Sequence, residues 1–284
     1  MPHHNNPLAL RNNLSVSHIY TTYEQNFPQG FHFSGERHNF WEIGYVIGGE
    51  VGITCDNKIY ECSKGDLIVH PPNYFHTCWS LNKSSFSIFT ISFQGDNIEQ
   101  YLHATMLKLN KEQQVIIKAL IAETKKCFSN TNGEFYYNEE NPLSPYCLQN
   151  TQVLKNYLEI LCVLIAANEP ITLPTTRHAV KYKEIVNFLK NNVCRNLTLE
   201  DIAKELFESP VTLKRIFHKY TNLGIMRYYN ELRIDYALKL LQEDVSINQI
   251  AAIMNFSSQN YFSSFFKKAL GVPPTKYKKM LAKK

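Results

Sequence analysis

A degenerate repeat fills the last third of this 284-residue chain and leaves few folds open to it. Leu199, Ile202, Ala203 and Leu206 recur as Ile247, Ile250, Ala251 and Met254 at an offset of 48. Ser209, Leu213, Phe217, Lys219 and Tyr228 recur as Ser258, Phe262, Phe266, Lys268 and Tyr277 at an offset of 49, so one residue is inserted in the turn between the blocks. Each copy reads as a short helix with a small Ala on its inner face, a tight turn and a longer helix, which is helix-turn-helix anatomy. Ser209 or Pro210, and Ser257 or Ser258, supply the cap and first turn of the longer helices.

Helical phase sorts the residues of those longer helices. Leu213, Ile216, Phe217 and Tyr220 make the inner stripe of the first, leaving Val211, Lys214, Arg215 and His218 outward, with Thr212 beside them at the helix start. Phe262, Phe265, Phe266 and Ala269 make the inner stripe of the second, leaving Gln259, Asn260, Ser263, Ser264 and Lys267 outward. In a DNA major groove Arg and Lys read guanine, while Asn and Gln read adenine. Between the copies, Ile225 to Leu241 is apolar-periodic through Met226, Tyr229, Leu232, Ala237, Leu240 and Leu241. A helix of about 17 residues is a rod of ~26 Å, of the order of one DNA turn at ~34 Å. A plain helical bundle with a polar surface is the competing reading, and it has no use for a doubled motif with basic faces.

Charge agrees with a nucleic-acid partner. Residues 1–174 hold 11 Lys and Arg against 16 Asp and Glu, a balance of −5, whereas residues 175–284 hold 19 against 9, a balance of +10. A basic third on an acidic body is the electrostatic footprint of a binder of nucleic acid or of an anionic surface, the bland alternative being a solvated basic face. The longest apolar run, Ile160 to Ala167, is eight residues, against the roughly 20 of a membrane span. The start of the chain, MPHHNNPLALRNNLSV, shows no apolar core of a secretory signal. Cysteines at 55, 62, 78, 127, 147, 162 and 194 are odd in number and contain no C-x-x-C. They read as reduced, largely core-packing thiols in a cytoplasmic protein, in preference to zinc ligands or a redox sensor.

The first third has a different texture. FWEIGYVIGG (40–49), VGITCDN (51–57), KIYECS (58–63), DLIVH (66–70) and FSIFTISF (86–93) are rich in β-branched and aromatic residues and predict strands. Gly48-Gly49, Asp56-Asn57, Lys64-Gly65 and Pro71-Pro72-Asn73 predict the turns between them, in a sandwich or barrel. Helical spacing begins after residue 98. Lys111 to Phe128 carries Val115, Ile116, Ala119 and Leu120, and Leu148 to Ala167 carries Val153, Leu154, Tyr157, Leu158 and Leu161. Residues 129–145 predict a loop, and 168–178, with two prolines and no periodicity, an interdomain linker.

Residues 180–280 resemble the C-terminal DNA-binding domain of the AraC/XylS family of transcriptional regulators, through LTLEDIAKEL (197–206), SPVTLKRIFHKYT (209–221), ELRIDYALKLLQEDVSINQIA (231–251) and NFSSQNYFSSFFKKALGVPPTKYKK (255–279). The resemblance implies two helix-turn-helix units docked in successive major-groove segments of one DNA face. It places Val211, Lys214 and Arg215 of the first unit nearest the bases, with Gln259, Asn260, Ser263 and Ser264 of the second. Two positions depart from the family. Phe207 and Asn255 stand where a Gly usually ends each unit's first helix. Asn tolerates the left-handed conformation and Phe does not easily, so the first turn is expected to differ in shape. Ser264 stands where an Arg is common, which shifts the second unit from base reading toward positioning on phosphates.

RHNFWEIGYV (37–46) and GDLIVHPPNYFH (65–76) resemble the two motifs of the cupin barrel, in the form that fronts many AraC-type regulators. Catalytic cupins hold a metal with two His and a Glu of the first motif and a His of the second. His38, Glu42 and His76 match, but Asn39-Phe40 follow His38, so the H-x-H pair is missing. The three groups make either a facial metal site or a metal-free pocket that hydrogen-bonds a small ligand. For a regulator the second is preferred, with no cofactor. Alternation turns Glu42, Gly44 and Val46 into the barrel, opposite Trp41, Ile43 and Tyr45, with His38 and His76 near its mouth. The family resemblance also implies dimerisation through helices such as 111–128 and 148–167, against purely intramolecular packing.

The expectation is a multidomain α+β chain. A cupin-like β-barrel with accessory helices spans 1–167, a linker 168–179, and an all-α DNA-binding domain 180–284, with helix-turn-helix units near 198–220 and 246–270 and a connecting helix near 225–242. The expected function is that of a non-enzymatic, ligand-responsive transcriptional regulator, leaning to activation. Its expected partners are promoter double-stranded DNA, an unidentified small-molecule effector, a second copy of itself and RNA polymerase, and no membrane. A metal-dependent cupin enzyme is the rival reading.

Overall fold

The computed structural model describes residues 13–82, 84–103, 105–127, 134–136, 145–169 and 176–281. The chain divides into two compact units at about residue 173. Of the predicted linker, residues 170–175 lie outside the described ones.

The first unit is an antiparallel β-domain of β1 (Ser15–Phe27), β2 (Trp41–Cys55), β3 (Lys58–Ser63), β4 (Asp66–His70), β5 (His76–Ser80), β6 (Phe86–Asp96), β7 (Thr105–Lys108) and β8 (Glu134–Tyr136), with α1 (Lys111–Cys127) and α2 (Pro145–Ile165). The strand order is β7-β4-β2-β6-β1-β8, with β3 and β5 also paired to β2. The long β2 is the hinge of this arrangement. Its first half pairs with β4 and β6, and its second half, Val51 to Cys55, pairs with β5. Both faces of its first half are buried, which explains the nearly unbroken apolar run. Trp41, Ile43 and Tyr45 join a core with Leu120 of α1 and Leu154, Leu158 and Leu161 of α2. Val46, Ile53, Ile68 and Ile88 fill the interior.

Several expectations need correcting. Gly48-Gly49 is not a turn between strands. β2 runs through it as a bulge, with a register shift against β6 and Gly49 at φ 74°. β8 lies within the predicted loop and pairs with β1, while 129–133 and 137–144 fall outside the described residues. α2 begins at Pro145 rather than Leu148, with a kink at Asn150. The stripe of α1 is rotated. Val115 is 64% exposed and Gln113 is buried, because the Gln113 amide donates to Leu164 O at 2.9 Å and to Asn168 Oδ1 at 2.8 Å. Among the described side chains Cys55, Cys62, Cys127 and Cys162 are buried thiols outside any disulfide. Burial pushes the thiols of Cys62 and Cys162 far up and that of Cys78 up to about 12, so they remain protonated packing groups.

The second unit is helical, with α3 (Arg177–Asn191), α4 (Leu199–Glu205), α5 (Pro210–Thr221), α6 (Ile225–Gln242), α7 (Ile247–Ile253), α8 (Gln259–Leu270) and α9 (Pro274–Leu281). The repeat is realised down to its caps. Thr198 and Ser246 open α4 and α7 with reciprocal capping boxes to Asp201 and Gln249, and Ser209 and Ser258 cap α5 and α8. α6 is buried on more than one side. Ile234, Ala237, Leu240 and Leu241 pack with Phe262 and Phe266, and Tyr228 meets Phe217 at a 5.1 Å ring separation. That wide burial is why its apolar pattern is broader than a single stripe.

Candidate DNA interface and barrel pocket

Each helix-turn-helix unit closes with the same backbone device. Phe207 N–H donates to Lys204 O and Glu208 N–H to Ala203 O; Asn255 N–H donates to Ala252 O and Phe256 N–H to Ala251 O. These are paired Schellman motifs, and both turn residues are left-handed, Phe207 at φ 53° and Asn255 at φ 55°. The expectation that the first turn differs in shape is therefore corrected, since hydrogen bonding imposes the same conformation on Phe207. Its ring is 94% exposed, so no burial offsets the strain. An L-residue in this conformation costs roughly 1–2 kcal/mol. Phe207→Gly is expected to stabilise the domain by about 0.5–1 kcal/mol after the entropy cost of glycine, with a smaller gain for Asn255→Gly. Thermal unfolding of the two variants checks this, and a destabilised Phe207→Gly would disprove the strain.

The turns aim α5 and α8 with apolar stripes inward. Leu213, Ile216, Phe217 and Tyr220 are buried, as are Phe262 and Phe266, but Phe265 is half-buried and Ala269 exposed, a correction to the predicted stripe of α8. Outward stand Val211, Lys214, Arg215 and His218 on α5, and Gln259, Asn260, Ser264 and Lys267 on α8. Ser263 is half-buried, and the half-buried Thr212 hydroxyl lies 2.9 Å from the capping Ser209 hydroxyl. Some cations of this unit are paired, among them Arg195 with Glu205, Arg227 with Glu231 and Lys278 with Asp244. Among the described residues Lys214, Arg215 and Lys267 form no such ion pair, which leaves their charge available to an anionic partner.

The polar cluster of the β-domain is built around Glu42 on β2. Its side chain is 10% exposed, and its Oε2 accepts from Ser92 Oγ of β6 at 2.8 Å. His38 Nε2 lies 3.6 Å from Glu42 Oε2, His76 Nε2 lies 3.4 Å from Glu42 Oε1, and His76 Nε2 lies 3.6 Å from Glu36 Oε1. Glu36 and His76 are held together by the backbone, each N–H donating to the other's carbonyl at 3.0 Å. Gly35 permits this approach, since a Cβ there would stand 2.4 Å from the Phe75 ring and 2.8 Å from His76 O. Burial alone would raise the Glu42 carboxyl, yet His38 and His76 hold it well below the usual range. Burial would lower His76, but Glu36 and Glu42 raise it to about 10. Burial and the neighbouring His76 keep His70 well below its ordinary value, and the two rings stack at 4.3 Å.

The structure thus brings His38, Glu42 and His76 together. It adds Glu36 and Ser92, which the sequence reading missed. Glu36 carried a readable signal, since it stands two residues before His38 on the same approach to β2.

The family model for an AraC-like ligand binding domain matches residues 18–131, and that for a helix-turn-helix domain matches 202–280. The chain belongs to the AraC family of transcriptional regulators. Relatives within the family include the transcriptional activator RhaR of Mannheimia succiniciproducens, 24% identical over 89% of each chain. The Msm operon regulatory protein of Streptococcus mutans is 23% identical over 94% of this chain and 92% of its own. The regulatory protein PocR of Salmonella typhimurium is 31% identical over 40% of this chain and 38% of its own. This AraC-family chain is accordingly a DNA-binding regulator with a ligand-binding domain. Among its described residues no helix is long and apolar enough to cross a membrane.

Proposed function

We propose that this chain acts in the cytoplasm as a homodimeric, effector-responsive activator. Val211, Thr212, Lys214, Arg215 and His218 of α5 and Gln259, Asn260, Ser263, Ser264 and Lys267 of α8 contact promoter DNA, and the pocket of His38, Glu42 and His76 receives the effector. The observation that carries the reading is the pair of capped helix-turn-helix units whose longer helices bury an apolar stripe and turn Lys214, Arg215 and Lys267, none of them in an ion pair among the described residues, to the exposed side. Activation is supported by the relative named transcriptional activator, and makes RNA polymerase a partner. Selection of random duplexes by the full-length protein, followed by anisotropy titration, tests it. Arg215→Ala is expected to weaken the selected site by about 1–3 kcal/mol and relax one base position, while Lys267→Ala weakens all sequences alike and lowers the salt slope by about one. Unaltered base preference in Arg215→Ala would remove α5 from base reading.

Dimerisation is supported by the outer face of α2. Val153, Asn156, Ile160 and Val163 follow a three-four spacing, with Val153 37%, Ile160 43% and Val163 48% exposed. That is the seam of a coiled coil, in which a single Asn fixes register. Ile160→Asp is expected to give a monomer by light scattering and to lose the roughly 10²–10⁴-fold avidity of paired DNA-binding domains. A dimer with undiminished affinity would exclude this face.

A further inference from the structure

We propose that the two outward helices read blocks of different base composition, α5 a block built on a G·C pair beside a thymine and α8 a block of A·T pairs. The inference rests on the promoter contact proposed above for the same two faces, and it names the sequence class that each face takes.

The shared caps put the two helices in one frame. Ser209 and Ser258 are the N-caps, and each side chain accepts from the backbone N–H three residues on. Counted from the cap, the second position is Val211 in α5 and Asn260 in α8, the fifth Lys214 and Ser263, the sixth Arg215 and Ser264, and the ninth His218 and Lys267. At about 100° per residue these positions fall within an arc of ~100°. The buried Leu213, Ile216 and Phe217 of α5, and Phe262 and Phe266 of α8, lie on the opposite side. Each helix therefore has one face to offer a groove, and the two faces differ at every position.

The first face carries an apolar group and two cations. Val211 is 75% exposed, and the apolar group that a major groove offers it is the C5-methyl of thymine. Lys214 and Arg215 are exposed and only donate. They complement the O6 and N7 acceptors of guanine, not the N4 donor of cytosine. The second face carries no charge before Lys267. Asn260, exposed at the position of Val211, both donates and accepts, the pattern that adenine N6 and N7 complement. Gln259 beside it is exposed and adds a second amide. Neither helix contains a carboxylate, the group that takes cytosine N4. Serine at 264 in place of a cation therefore changes what the second unit reads, from guanine to adenine, instead of leaving it only a grip on phosphates.

The test is selection of random duplexes by the full-length protein and by its Arg215→Ala and Asn260→Ala variants. Each base of the winning site is then exchanged in turn and read by fluorescence anisotropy at fixed salt, with circular dichroism confirming that the exposed substitutions keep the fold. Arg215→Ala is expected to relax a guanine in one block and Asn260→Ala an adenine in the other. Each should lose about 10-fold in affinity for its own base and keep the preferences of the other block. Replacing the thymine beside the guanine by deoxyuridine, which lacks the methyl, is expected to weaken the unaltered protein and to leave Val211→Ala indifferent. Asn260→Val/Ser263→Lys/Ser264→Arg, which copies the first face onto the second, is expected to turn the A·T block into one containing G·C. A block relaxed by Asn260→Ala that is G·C in the unaltered selection, or adenine preferences untouched by Asn260→Ala in the folded protein, overturns the inference while the promoter contact stands. Enrichment of no duplex at all removes the promoter contact itself, and the inference with it.

Discussion

An Arg233→Ala variant is expected to lose about 3 kcal/mol of stability in the DNA-binding domain and, with it, two-block recognition. Arg233 sits in the middle of α6 and is 3% exposed. Its Nη2 donates to Met254 O at 3.0 Å, and its Nη1 to Asn196 Oδ1 at 3.3 Å. The guanidinium lies 4.3 Å from the Phe256 ring centroid, 5.4 Å from Phe265 and 5.8 Å from Tyr229. Met254 ends the first helix of the second unit, and Asn196 precedes the first helix of the first unit. One side chain therefore ties the entry to one unit to the turn of the other. Hydrogen bonds to a charged group contribute about 1.5–3 kcal/mol, and a desolvated cation–π contact about 2 kcal/mol. Arg233→Met keeps most of the packing but leaves Met254 O unpaired, and is expected to recover only part of the loss. Chemical denaturation of both variants decides it. A loss under about 1 kcal/mol for Arg233→Ala would mean the clamp is not structural.

Phe262→Ala is expected to cost about 3–5 kcal/mol, the range for emptying a buried aromatic site. Phe262 is fully buried, with ring neighbours Phe256 at 5.3 Å and Phe266 at 5.8 Å. Leu213, its counterpart in the first unit, sits among other residues, so the damage is expected to be local. Amide exchange should accelerate through α7 and α8 while α4 and α5 retain protection. DNA footprints should shorten to the block assigned above by proposal to α5. Uniform loss of protection across α4 to α8 would instead make the two units a single cooperative body.

The doubled helix-turn-helix was legible because its determinants are local. Caps at Ser209 and Ser258, small residues at Ala203 and Ala251 and aromatics at fixed offsets all act within one turn of their neighbours. The pocket was half legible. His38, Glu42 and His76 are spaced as motifs, and Glu36 stands two residues before His38, but its backbone bridge to His76, forty residues away in sequence, is encoded by no local pattern. Gly48-Gly49 misled because a bulge and a turn use the same residues. The stripe of α1 was misphased because Gln113 is buried by its hydrogen bonds to Leu164 and Asn168, and apolar periodicity does not register a satisfied amide. Phe207 was misjudged because a side-chain preference of a kcal/mol or two is smaller than the sum of two hydrogen bonds and the packed helices they join.

The connecting helix α6 also bears on how promoters for this regulator evolve. An 18-residue rod is about 27 Å long, and with Arg233 pinning it to both units, the two-block contact proposed above would have its interval set by the protein and not by the DNA. Base changes inside either block weaken binding by graded steps. An inserted or deleted base pair between the blocks instead rotates one groove by about a tenth of a turn against the other, and a rigid reader has no slack to follow. On the proposed two-block contact, operators are therefore expected to drift in spelling but to stay locked in phase.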